Sequence, residues 1–92
     1  MTPEAAETYA LKVLGWLVSE AEILPIFMGS SGSSAADIKA RAQDAEFLIA
    51  VLDFVMLDDG WVLAACQASG LAPEAMQIAR QALPGGSMVN WT

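Results

Sequence analysis

Histidine is absent from this 92-residue chain, and the only cysteine is Cys66. These two shortages exclude a zinc finger, a His-paired Ser or Cys nucleophile and an internal disulfide framework. Positive charge is scarce as well. Four Lys or Arg stand against eleven Asp or Glu, giving a formal net charge of -7 and a pI of about 4.1. So acidic a chain repels phosphate, which disfavours nucleic acid as a partner. Long apolar runs are missing too. The longest, Phe47 to Leu57, covers 11 residues and is interrupted by Asp53, whereas a membrane-spanning helix needs about 20. Met1-Thr2-Pro3-Glu4 places no basic region before an apolar stretch and does not read as a signal peptide. The expectation is a cytoplasmic protein with no membrane partner.

What is present is apolar bulk. Hydrophobic residues make up 55% of the chain, 17 of them Ala. That content excludes a disordered acidic tail, and the length fits one domain spanning 1–92. The segments read as short helices between strong punctuation. Thr2 caps a first helix with Pro3 at its opening position, running to about Val18. Ala6, Ala10, Val13 and Leu17 share one face of it, flanked by Tyr9 and Trp16, with Glu4, Thr8, Lys12 and Ser19 opposite. Ser19 and Glu22 have capping-box spacing, but Pro25 then requires either a later start near Leu24 or a kink. Gly29-Ser30-Ser31-Gly32-Ser33-Ser34 reads as a flexible loop. Ser34 opens a short helix with Ile38 inward and Lys39 and Arg41 outward.

Asp44 caps the most apolar helix, at about 45–57. Its only charges, Glu46 and Asp53, stand seven residues apart and mark one narrow strip, as expected of a helix in the middle of a bundle. Asp58-Asp59-Gly60 breaks it. Another helix follows over Trp61 to Ala68, with Trp61, Ala64, Ala65 and Ala68 on one side, and a last one over Pro73 to Leu83. No run of alternating residues suggests a strand. The expected fold is all-α: a compact bundle of five or six short helices around a central apolar helix, with a flexible loop at 29–34 and a short C-terminal tail at 85–92.

Candidate sites are few. Leu63 to Arg80 has the outline of a helix-turn-helix around Ser69-Gly70-Leu71, but Arg80 is its only cation, too few to surround a recognition helix with phosphate contacts. Asp58-Asp59-Gly60 lacks the alternating Asp pattern and closing Glu of a calcium loop; a helix break and cap explain it. Cys66 has no nearby cation to make it a thiolate and reads as a packing residue. An acyl-carrier role needs a Ser at a helix start in an Asp-Ser-Leu setting, which is missing. Asp53, among apolar neighbours, marks either the solvent strip or a polar anchor. Trp91 is either an internal latch or a docking residue. Trp61, at a helix start, and the five Met residues suit either an adaptable binding surface or core filler. No catalytic residue, metal site or cofactor is expected. The apolar excess over what so small a domain can hide points to a protein partner or to self-association as a homodimer, through the central helix or the Trp61 helix.

The order of features also carries a resemblance. Leu24-Pro25-Ile26-Phe27, then Ala36 to Ala42, Glu46-Phe47-Leu48 leading to Val51-Leu52-Asp53-Phe54, the Leu63 to Glu74 stretch, Ala82-Leu83-Pro84-Gly85-Gly86 and the terminal Trp91-Thr92 resemble short bacterial proteins grouped as domain of unknown function 3572. Such proteins tend to end in Pro-His-Trp; Val89-Asn90-Trp91 stands here, without the His. The resemblance carries no activity, but it implies that Asp53 and Trp91 are deliberate features. The leading reading is a non-catalytic protein-interaction module that would use Trp61, Trp91 and Asp53. The alternative is a DNA-binding regulator using the 63–80 hairpin.

Overall fold

The computed structural model describes residues 1–84; Trp91 and the tail at 85–92 lie outside the described residues. Six helices follow in order: α1 Pro3–Ser19, α2 Leu24–Ser31, α3 Ala35–Arg41, α4 Ala45–Val55, α5 Asp59–Ser69 and α6 Ala75–Ala82. Among the described residues there is no strand, so the fold is all-α.

The starts are set by side-chain caps, which satisfy amide N–H groups that the first turn leaves without partners. Thr2 Oγ1 accepts from the Ala5 amide at 3.1 Å. Asp44 accepts from the Glu46 amide at 3.0 Å, and Asp58 from Gly60 and Trp61 at 2.8 and 3.3 Å. Ser34 and Asp37 form a full capping box, each side chain accepting from the other's amide. Those hydrogen bonds hold the Asp37 carboxyl below its usual range, the Ser34 backbone amide contributing most.

Several boundaries differ from expectation for identifiable reasons. Ser19 does not open a second helix. It closes α1, and its hydroxyl donates to the Trp16 carbonyl at 2.7 Å. The chain turns over 20–23, and α2 then takes Pro25 in its first turn, where a missing N–H costs nothing. The Gly-Ser stretch is not a loop over all of 29–34. α2 continues through Ser31, and only at Gly32, with φ +73°, does the left-handed cap release the chain. α4 ends at Val55 rather than 57, because Asp58 must be extended to cap α5; Leu57, in the turn between, is 79% exposed. α6 starts at Ala75, two residues after Pro73.

The core has two axes. α4 buries Phe47, Leu48, Val51, Leu52, Phe54 and Val55, each contributing about 1.5–3 kcal/mol before entropy is subtracted. α1 buries Ala6, Tyr9, Ala10, Val13, Leu14, Trp16 and Leu17. Both helices pack against α2, α5 and α6 as well as against each other, so α4 shares the centre with α1. The inner face of α5 is Ala65 and Cys66; Ala64 and Ala68, expected on it, point to solvent. α6 contributes Met76 and Ala79, and Leu83 closes that end. α2 and α3 bury one residue each, Phe27 and Ile38. No described helix is long and apolar enough to cross a membrane.

Candidate functional site

Of the expected site residues, the described ones are Trp61 and Asp53, and Trp61 ends a row of aromatic rings. Trp61 is half-buried and stacks on Phe54, with ring centroids 5.0 Å apart. Phe54 meets Phe27 edge-on at 5.2 Å, and Phe27 meets Phe47 at 5.8 Å. The Arg41 guanidinium lies 5.1 Å from the centre of the Phe47 ring. Edge-to-face and offset contacts of this kind add a little to simple burial. The row joins α5, α4 and α2, and it uses the inner side of Trp61 for packing.

Asp53 is exposed, as a residue on the solvent strip of α4, yet it is also anchored. Arg80 of α6 donates to both its carboxylate oxygens, at 2.7 and 3.1 Å. The fork geometry matches a carboxylate and raises the already high pKa of the guanidinium. Beside this pair α2 and α4 leave a hollow of about 330 Å³, lined by Phe27, Ser30, Ser31, Ala50, Asp53, Phe54 and Leu57. The pair also bears on the α5–α6 hairpin, because the one cation between Leu63 and Arg80 is engaged by a carboxylate of α4.

Cys66 sits in a polar contact inside the core. Its Sγ is 3.4 Å from the Tyr9 hydroxyl, which lies 2.7 Å from the Ala72 carbonyl. A phenol has one proton to give, and the carbonyl can only accept. Tyr9 therefore donates to Ala72, and the thiol donates to Tyr9. Burial first, and then Cys66, push the phenol well above its ordinary pKa of 10.0. The arrangement pins the 70–74 turn to α1. Among the described residues, no group of three or more His, Cys, Asp or Glu could hold a metal ion.

A second concave surface came from no sequence expectation. α1 and α3 flank a groove of about 410 Å³. One wall is Leu11, Leu14, Gly15 and Val18; the other is Ala35, Ile38, Lys39 and Ala42, with Leu24 of α2 also lining it. Leu11 and Val18 are 38% and 44% exposed. Among the described residues, Lys39 is the only charged one lining it. The signal was present: Leu11, Leu14 and Val18 recur at helical spacing beside the inner face of α1, forming a second apolar stripe that 6, 10, 13 and 17 overshadow.

With this geometry in place, the comparisons give one assignment. The chain belongs to the family described as "Protein of unknown function (DUF3572)", whose model matches residues 3–86. No curated protein and no solved structure matches it.

Proposed function

We propose, for this member of a family without an assigned activity, a non-catalytic protein-interaction module of the cytoplasm whose docking face is the α1–α3 groove. One observation carries the reading: two helices face each other with mostly apolar residues, 11/14/15/18 against 35/38/42 with Lys39 at the edge, across a groove that no other described helix covers. Exposed apolar surface of this kind marks association sites, and a trough between two helices suits a third helix laid into it. A non-catalytic role is supported by the environment of the buried polar groups, where Tyr9 and Cys66 serve a turn rather than a cleft. The lone, buried thiol suits a reducing compartment.

Photo-crosslinking in the native cell tests the reading. A crosslinking residue at Leu11, in the groove, is expected to give discrete protein adducts that Val18→Asp abolishes. The same residue at Gln67, exposed on α5, gives none of them. Equal adducts from both positions, or no adduct from Leu11, would end the proposal.

A further inference from the structure

We infer that the occupant of the α1–α3 groove is α1 of a second copy of this chain, crossing the first at Gly15; this rests on reading the groove as the docking face. The starting observation is Gly15 itself. It lies inside the longest helix, where glycine is the least favourable residue after proline. Its φ is not positive, since only Gly32 and Gly70 have that conformation among the described glycines. A Cβ built on Gly15 would meet nothing within 4 Å. Neither backbone conformation nor packing against the described residues therefore requires a glycine there. Close approach of another backbone from outside does, and Gly15 sits between Leu11, Leu14 and Val18 on the groove wall.

The second copy fits this notch in shape and in charge. Its own α1 carries the apolar stripe that the trough needs. It carries Glu7 one turn before Leu11, with Lys12 beside Leu11 and Glu20 just past its end at Ser19, while among the described residues the one charged side chain lining the groove is the cation Lys39. Glu7 stands eight residues from Gly15 in sequence, about 12 Å along the axis. At a crossing angle near -50° the acidic ends of the two α1 helices diverge beyond the screening length of about 8–10 Å, while their centres touch. A two-fold axis at Gly15 closes the assembly as a dimer.

Sedimentation equilibrium of the full chain over a wide concentration range tests this. The wild-type mass is expected to rise from 9.7 kDa toward twice that value. Gly15→Ala is the deciding variant, because its two effects have opposite signs. At a dilution where the chain is monomeric it raises Tm by about 4–8 °C, since alanine is the better helix former. It also weakens the dimer tenfold or more, because two methyl groups now separate the helices. Val18→Asp abolishes the dimer, whereas Ile78→Asp, on an exposed position of α6, leaves it intact. A wild type that stays monomeric throughout, or a Gly15→Ala variant that dimerises as well as wild type, overturns the inference. If the chain is monomeric while Leu11 still crosslinks to a different protein, the groove remains the docking face and only the second copy is lost. If both are negative, both readings fall.

Discussion

The α1–α4 centre and the α2–α3 layer are built to different standards. α1 and α4 bury seven and six residues respectively, whereas α2 and α3 each bury one. Both concave surfaces described above lie beside the thinner layer, the groove between α1 and α3 and the hollow between α2 and α4. The contrast teaches where a 92-residue chain can leave apolar surface open. A domain this small buries only about 60–65% of what its unfolded chain exposes, so the uncovered remainder collects where helices are held by a single anchor. Opening free energies should follow the same division. Amides of α1 and α4 should exchange only through global unfolding, and those of α2 and α3 through cheaper local release.

The largest expected effect is on the dense side. Leu52 is fully buried, and Leu52→Ala should cost about 2–5 kcal/mol, with the denaturation curve still cooperative. Phe27→Ala comes next and is the sharper test. A buried Phe replaced by Ala ordinarily costs about 3–5 kcal/mol. Here the cost is limited by the free energy of releasing α2, so the global loss should be the smaller of the two, with fast exchange confined to 24–31. If Phe27→Ala lowers stability as much as Leu52→Ala and leaves the α2 amides protected, the two-standard picture is wrong.

The same division governs how much could be read from the residues. The inner face of α1, the caps at Thr2, Ser34, Asp44 and Asp58, and the apolar content of α4 were legible, because helical periodicity and N-cap chemistry are local. The thin layer was legible only in part: the start near Leu24, the Ser34 cap and the inward Ile38 are as expected, but the length of α2 is not. In α2, Pro25 and the Gly-Ser residues argue against a helix, and tertiary contact of Phe27 with Phe47 and Phe54 overrides that local preference. α4 stops short of the expected 57 because the capping demand of Asp58 outweighs the burial of Leu57. The groove was missed because it requires α3 to lie beside a second stripe of α1, which no local spacing specifies. Of the three expected interaction residues, Asp53 and Trp61 proved to be engaged within the chain, Asp53 with Arg80 and Trp61 with Phe54. Trp91 falls outside the described residues.

A smaller effect tests how α1 holds the 70–74 turn. Tyr9→Phe removes the donor to Ala72 and the acceptor for Cys66 while keeping the ring, and should cost about 1–2 kcal/mol. It should also change the alkaline limb. The phenol is favoured in its neutral form when folded, so its pKa is raised above the unfolded value. Its contribution is fully present below pH of about 10 and is lost as pH rises beyond that. The variant should lack this part of the decline. Tyr9 is the only tyrosine, so tyrosinate absorbance of the native protein reports it directly; ionisation at an ordinary pH would contradict the buried, neutral arrangement.

The smallest effect concerns the link from the dense centre to α6. Asp53 and Arg80 form a bidentate pair, but their side chains remain 47% and 32% exposed. An ion pair in that setting is worth about 0.2–1 kcal/mol, because solvent screens the attraction and two side chains lose freedom. A double-mutant cycle with Asp53→Asn and Arg80→Gln should therefore give a coupling below about 1 kcal/mol that shrinks further as salt is added. The bland result is the informative one. A coupling of several kcal/mol, insensitive to salt, would mean that the pair is shielded from water in solution. The hollow beside Asp53 would then be covered by something beyond the described residues, and the thin layer would be less open than the α1–α3 groove makes it.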